Sequence, residues 1–302
     1  MNKLNENFLW CLKVQIPSEV EESIIWKLTS LGITSFSFEN NFKNIDFIQL
    51  SIWLSSSDWG DKDINNLFLD ISNLLLPFDQ IISAPSYSKV TNDNWEKKWQ
   101  KYWKPDPVGT NLLILPSWLD IPKEFSSRKV VKIDPGAAFG TGSHPSTRLC
   151  LEAIDKDLLK GLSIADIGCG SGILGIAAFL NGAEFVSAVD IDSFAIESTI
   201  SNIYLNKISK KNFIIKKGSI ENIYRGKDLI LYDRIFCNIL APTIKELIPS
   251  LKNFIAPFGK VFLSGLLESQ VDDLRGTLDD YGWDSFRCAT ENKWSLIKAM
   301  RY

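Results

Sequence analysis

Three glycines at alternate positions, Gly168, Gly170 and Gly172, follow a short apolar run that contains one acid, Asp166. Apolar residues with helical spacing come directly afterwards, over 173–180. This order predicts a strand, a tight glycine turn and a helix. Glycine lets the backbone turn sharply and approach a ligand without a Cβ atom in the way. The start of a helix adds unpaired N–H groups and a partial positive charge. The stretch therefore suits a nucleotide, a ribose or a carboxylate.

The glycine turn alone leaves its ligand open. Gly170, Gly172 and Gly175 also have the spacing of a dinucleotide-binding fingerprint, with Asp190 twenty residues after the first of them. An ordinary strand–helix turn of an α/β protein has the same pattern. A carboxylate at Asp190, where the next predicted strand ends, can accept hydrogen bonds from both hydroxyls of a ribose. Asp192 is expected to cap the helix that follows.

A second glycine-rich stretch, residues 134–147, precedes the first and lies between a predicted strand and a predicted helix. It is not a Walker loop, because no Gly-Lys-Ser/Thr follows at the required spacing. His144, the single histidine of the chain, lies in it. This side chain is either a polar residue at a helix start or a direct participant in chemistry, and the sequence favours neither. Thr147 lies in the first helical turn, where its hydroxyl can reach a ligand or cap the helix.

From about residue 130 onwards strands alternate with helices, which predicts a doubly wound, mostly parallel α/β sheet. The last two predicted strands, 283–290 and 294–299, are joined by only three residues. A parallel pair needs a longer crossover, so these strands form an antiparallel hairpin. A doubly wound sheet with this ending resembles the class I methyltransferases that use S-adenosylmethionine. It is less like a dinucleotide dehydrogenase, whose sheet stays parallel.

The first ninety residues have the order β-α-β-β-α-β, the ferredoxin-like arrangement, and contain no catalytic cluster. Their 6 basic and 11 acidic residues suit a basic protein partner better than a nucleic acid. We expect residues 1–90 to be a recognition domain, 91–118 an aromatic-rich linker and 119–302 the catalytic domain. In the linker, Trp95 and Trp99 alternate with lysines, so its aromatic face either packs on a neighbouring domain, the favoured interpretation, or stacks on RNA bases.

Composition excludes several other classes of protein. The chain has 302 residues, 45% of them hydrophobic and 23% charged, which is typical of a globular protein. No apolar window is long enough for a membrane span, and Lys13 interrupts the first apolar run, so no signal peptide is expected. Five widely spaced cysteines and one histidine make a disulfide scaffold or a metal site unexpected. A net charge of −3 with no basic face argues against nucleic acid. The expected location is the cytoplasm.

Several motifs taken together resemble one family. The stretches that carry the resemblance are Asp-Pro-Gly-Ala-Ala-Phe-Gly-Thr-Gly-Ser-His-Pro-Ser-Thr at 134–147, Asp-Ile-Gly-Cys-Gly-Ser-Gly-Ile-Leu at 166–174, Val-Asp-Ile-Asp at 189–192, Asn-Ile-Leu at 238–240, and Trp95, Trp99, Pro105 and Pro-Ser-Trp at 116–118. They resemble the bacterial ribosomal protein methyltransferases that modify protein eleven of the large ribosomal subunit. The resemblance is specific from about residue 94 onwards, whereas the first ninety residues match in layout more than in motif.

The resemblance implies a fold, a cofactor and a substrate. The fold would be a mostly parallel seven-stranded methyltransferase sheet with an antiparallel terminal hairpin, behind a small N-terminal ferredoxin-like α+β domain. The cofactor would be S-adenosyl-L-methionine, contacted by Thr147, Gly168, Asp190 and Asn238, with no metal and no assigned general acid or base. The substrate would be amino groups, on lysine side chains and at the N-terminus, of a large-subunit ribosomal protein. We expect a monomer. The family often has two threonines where this chain has Ser146 and Thr147, and since the hydroxyl is kept we expect little effect.

Three other functions stay open on the sequence alone. The first is methylation, by S-adenosylmethionine, of a nucleic-acid base or of another protein. Enzymes specific for adenine carry Asn/Asp-Pro-Pro-Tyr/Phe after the fourth strand, and the aromatic residue stacks on a flipped base. Here the same place holds Asn-Ile-Leu-Ala at 238–241, without an aromatic residue. The second is a dinucleotide-dependent oxidoreductase. The third is a ribosome-binding module with a vestigial pocket.

Overall fold

The computed structural model describes residues 8–31, 33, 36–40, 47–56, 59–75, 85–91, 103–134, 142, 144–223 and 231–301. The chain divides into two compact units, Met1–Trp103 and Lys104–Tyr302. This boundary falls inside the linker predicted over 91–118. The aromatic stretch of that linker, over 92–102, lies outside the described residues.

The first unit combines a four-stranded antiparallel sheet with two helices. Its elements are β1 (Phe8–Pro17), α1 (Glu21–Ser30), β2 (Phe36–Asn40), β3 (Phe47–Ser55), α2 (Asp61–Leu75) and β4 (Ser86–Thr91). Their spatial order is β2-β3-β1-β4, and each neighbouring pair is antiparallel. Ile24 and Leu28 of α1 lie four residues apart, as do Leu67 and Ile71 of α2, so each pair faces the same way. These side chains form the core with the inward face of the sheet.

The second unit is an α/β unit with a mixed seven-stranded sheet. Its elements are β5 (Asp106–Val108), β6 (Leu112–Pro116), β7 (Lys129–Ile133), α3 (Pro145–Lys156), β8 (Ser163–Ile167), α4 (Ile173–Leu180), β9 (Phe185–Asp190), α5 (Ser193–Leu205), β10 (Phe213–Lys217), β11 (Tyr232–Asn238), α6 (Ala241–Leu251), β12 (Ile255–Leu267), α7 (Val271–Asp280), β13 (Trp283–Glu291) and β14 (Trp294–Arg301). The large sheet has the order β10-β9-β8-β11-β12-β14-β13. The five strands β8, β9, β10, β11 and β12 are parallel to one another, and β14 is antiparallel to both of its neighbours, β12 and β13.

Apolar side chains cover both faces of this sheet. One cluster contains side chains of α3 and α4, among them Ile154 and Ile176, and the other contains side chains of α6 and α7, among them Ile248 and Leu274. Parallel strands buried on both faces read as nearly continuous apolar runs, as residues 185–189 of β9 do apart from one serine. No helix in the described ranges is long and apolar enough to cross a membrane.

A separate three-stranded sheet, in the order β5-β6-β7, belongs to the same unit. Arg148 of α3 donates two hydrogen bonds to the carboxylate of Asp106, at 2.9 and 3.0 Å, and this ion pair ties β5 to α3. The side chain of Asp155 accepts from the backbone N–H groups of Thr110 and Asn111 at 2.8 and 3.0 Å. The small sheet thus holds both ends of α3, the helix that carries Thr147.

Candidate functional site

The glycine turn joins β8 to α4 with three residues in the left-handed region. Gly168, Gly170 and Gly172 have φ angles of +70°, +54° and +78°, which side chains with a Cβ atom rarely adopt. At Gly168 the surroundings forbid a side chain as well, because a Cβ atom there would overlap Cγ2 of Ile239. The strand, turn and helix predicted around these glycines are present in the structure.

Asp190 joins this turn to the end of β9. Its carboxylate accepts from the backbone N–H of Gly170 and from that of Asp192, both at 2.9 Å. Burial raises the pKa of Asp190, although these N–H groups act in the opposite direction. The predicted helix cap at Asp192 is confirmed, since its carboxylate accepts from Phe194 N–H at 2.9 Å at the start of α5.

Asn238 and Thr147 form a second group at the same edge of the sheet. Asn238 is the last residue of β11, and its Nδ2 donates to Oγ1 of Thr147, in the first turn of α3, at 3.1 Å. Both side chains are buried. Among the described residues, the Oδ1 atom of Asn238 has no hydrogen-bond partner. A buried acceptor without a partner costs about 1–3 kcal/mol, so this oxygen favours a ligand that donates to it.

The four residues predicted to contact a methyl donor therefore lie together. Strand β8 has β9 on one side and β11 on the other, all parallel, so Gly168, Asp190 and Asn238 lie at the carboxyl ends of adjacent strands. Ligands of open α/β sheets bind at this edge. Ile239 against Gly168 connects the two groups. That these residues bind the donor stays a prediction.

His144 lies at the start of α3 as the N-cap residue of that helix. Of the two interpretations that the sequence left open, the geometry matches the polar residue at a helix start. Its ring is buried and faces Trp294 edge-on, with ring centroids 4.7 Å apart. Residues 135–141 and 143 of the loop before it lie outside the described residues.

A family model described as Ribosomal protein L11 methyltransferase (PrmA) matches residues 9–302. The chain belongs to the ribosomal protein L11 methyltransferase family. A relative of that name from Prochlorococcus marinus is 41% identical over 301 residues, which cover 100% of this chain and 99% of the relative. Another, from Parasynechococcus marenigrum, is 40% identical over 94% of this chain and 99% of its own length. A crystal structure of ribosomal protein L11 methylase from Lactobacillus delbrueckii subsp. bulgaricus has a TM-score of 0.60 and 29% identity, over 66% of this chain and 99% of that one.

S-adenosylmethionine is the methyl donor of this methyltransferase family, and the residues at the sheet edge fit its chemistry. The unpartnered Oδ1 of Asn238 suits an N–H donor. The Asp190 carboxylate suits ribose hydroxyls, and the missing side chain of Gly168 lets Ile239, the residue after Asn238, pack closely against the turn. Asn238, Asp190 and Gly168, together with Thr147, are therefore the residues that would hold it.

Asp166 is a buried acid beside the glycine turn for which the sequence patterns predicted no role. It lies in β8 below the glycine turn and is 1% exposed. Its Oδ2 accepts from Gly175 N–H at 2.8 Å, whereas its buried Oδ1 has no partner among the described residues. Burial, together with the negative charge of Asp190, raises the pKa of Asp166 to about 7. The signal in the sequence was an acid inside an otherwise apolar strand.

Proposed function

We propose that this L11 methyltransferase family member transfers methyl groups to amino groups of ribosomal protein L11, on lysine side chains and at the N-terminus. The observation that carries the proposal is the match to the family over residues 9–302. The geometry agrees with it, since the unpartnered Oδ1 of Asn238 lies at the ligand-binding edge of the sheet. S-adenosylmethionine supplies, when bound, an electrophilic methyl group on a positively charged sulfur.

Each site residue has a task in this proposal. Asp190 accepts hydrogen bonds from ribose hydroxyls, and Gly170 N–H holds its carboxylate in place. Gly168 leaves room for Ile239, which follows Asn238, to pack against the glycine turn. Thr147 holds the amide of Asn238 through Nδ2. The Oδ1 atom of Asn238 is then available to accept a hydrogen bond from the methyl donor or from the incoming amine.

The acceptor amine must lose a proton before it attacks. A free lysine has a pKa of about 10.4, and desolvation in a partly dry pocket favours the neutral amine. We propose that the proton passes to water, since His144 already uses Nδ1 for its helix cap. Asn238 Oδ1 accepts an N–H of the amine and aims the nitrogen lone pair. Positioning of this kind supplies much of the rate in transfer reactions.

The first unit, which contains the domain predicted over residues 1–90, is proposed to be a ferredoxin-like recognition domain, and the second unit carries out methyl transfer. The strand order β2-β3-β1-β4 supports the first part. An excess of five acidic residues over 1–90 complements a basic ribosomal protein. We further propose that the protein is a monomer that works in the cytoplasm, where its substrate is made, without direct recognition of nucleic acid.

Intact-mass measurement of purified L11 tests the proposal. L11 incubated with the protein and S-adenosylmethionine should gain mass in steps of one methyl group, and peptide mapping should place them on lysine and N-terminal amines. A matched incubation with Asn238→Ala should leave L11 nearly unmodified. Unmodified L11, with labelled methyl groups instead on ribosomal RNA or another protein, would overturn the proposal.

A further inference from the structure

His144 lies where the start of α3 meets the start of β14. It precedes α3, its ring contacts the first residue of β14, Trp294, and it lies three residues before Thr147. The side chain is 5% exposed, so its contacts are made inside the protein. A buried polar side chain this close to Thr147, a predicted donor-binding residue, can hold that residue in place.

The ring caps α3 through one nitrogen. Nδ1 accepts from the backbone N–H of Ser146 at 3.2 Å and lies 2.8 Å from Oγ of the same residue. Serine, threonine, aspartate and asparagine are the usual N-cap residues, and each supplies an oxygen acceptor. An imidazole nitrogen can accept from N–H only when it carries no proton. The cap therefore requires an Nδ1 atom that carries no proton.

A buried side chain of β12 also holds the first turn of α3. Ser264 of β12 donates its hydroxyl to the backbone oxygen of Ser146 at 3.0 Å and lies 3.2 Å from the backbone oxygen of Ser295. Ser146 is thus fixed through its N–H by His144 and through its C=O by Ser264. The next residue, Thr147, receives the hydrogen bond from Asn238.

We propose that His144 is a positioning residue for the methyl donor: its Nδ1 fixes the first turn of α3, so that Thr147 holds the Asn238 amide with Oδ1 facing the ligand. The inference rests on the proposed donor site at Thr147 and Asn238. The ring of His144 need not touch the donor for this effect. Loss of the cap loosens Ser146, and Thr147 moves away from the Asn238 amide.

Variants of His144 distinguish the effect of its hydrogen-bond acceptor from the effect of its ring on donor-site affinity. His144→Asn keeps an acceptor close to the place of Nδ1 and removes the ring, whereas His144→Phe keeps a ring against Trp294 and removes the acceptor. Calorimetric titration with S-adenosylhomocysteine, a stable product, measures donor-site affinity without turnover. We expect His144→Asn to bind within about twofold of the unmodified protein. His144→Phe should bind about fivefold to tenfold more weakly, the affinity equivalent of losing one helix cap.

Equal affinity of His144→Phe and the unmodified protein would overturn the inference. So would equally weak binding by both variants, because the ring rather than the acceptor would then be responsible. If His144→Phe does not fold, His144→Asn against His144→Ala gives the same comparison, since both lack the ring and only one has the acceptor; equal affinities would again refute it. If the unmodified protein does not bind S-adenosylhomocysteine, the proposed function itself fails.

Discussion

Replacing Asp166 by asparagine keeps the shape of the buried side chain below the glycine turn and removes its ability to ionise. The pKa of Asp166 in the folded protein is about 7, against an ordinary value of 3.8, because burial disfavours the carboxylate and Asp190 adds negative charge. The folded state therefore binds this proton more tightly than the unfolded state. The stability that the protonated carboxyl contributes is complete below about pH 4 and is lost as pH rises towards and through about 7.

The size of this effect follows from the two pKa values. They differ by about three units, and each unit corresponds to 1.36 kcal/mol, so the full loss is about 4 kcal/mol. Asp166 is fully buried, so solvent screening does not reduce the figure. The asparagine oxygen can still accept from Gly175 N–H, as Oδ2 does. In acid the two proteins should thus differ by less than about 1 kcal/mol, whereas in alkali Asp166→Asn should be more stable by about 4 kcal/mol.

Urea unfolding of both proteins from about pH 4 to about pH 9 measures this difference. Other titrating groups are common to the two chains and cancel in the comparison. In thermal unfolding, a difference of about 4 kcal/mol corresponds to a difference in Tm of about 8–16 °C for a unit of this size. Adding Asp190→Asn to both proteins should shift the pH at which their stabilities diverge to a lower value, because the charge that raises the pKa of Asp166 is gone. A stability difference that stays constant across the pH range would refute the reasoning.

Three further substitutions test the site. Gly168→Ala should weaken donor affinity strongly, because the new Cβ overlaps Ile239, whereas Gly161→Ala has a similar φ of +78° with open space around it and should leave calorimetric affinity unchanged. Asp190→Asn should weaken donor affinity about tenfold or more, since hydrogen bonds to a charged group are worth about 1.5–3 kcal/mol; unchanged affinity would exclude Asp190 from the site. Asn238→Ala should reduce L11 turnover strongly while circular dichroism stays the same, and near-normal turnover would rule out its proposed role.

Local patterns predicted the parts of this site that depend on neighbouring residues. The glycine turn between β8 and α4 was visible because apolar spacing changes on either side of it. The cap at Asp192 could be predicted because its partner, Phe194 N–H, is only two residues away. A short window of sequence therefore contains both partners of the cap and all the residues of the turn.

Contacts between distant residues could not be read in this way. Thr147 and Asn238 are 91 residues apart, and their pairing as site residues came from resemblance to a family rather than from any local pattern. The ring contact of His144 with Trp294 and the burial of Asp166 likewise depend on how strands assemble. The stretch 112–116 lies inside the linker predicted over 91–118, whereas in the structure it pairs with β7. That pairing is set by tertiary contact, which a window of sequence does not contain.

The position of β14 also dictates an order of events during synthesis. In the described sheet β13 is an edge strand whose neighbour is β14, and β14 separates it from β12. Strand β13 leaves the ribosome first but has no place in the sheet until β14 has been made. The ring of His144 likewise lacks its contact with Trp294 until that residue, 150 positions later, has been made. A nascent chain stopped before residue 294 would carry every predicted donor-binding residue. It would still lack β14, the strand that lies between β12 and β13 in the finished sheet.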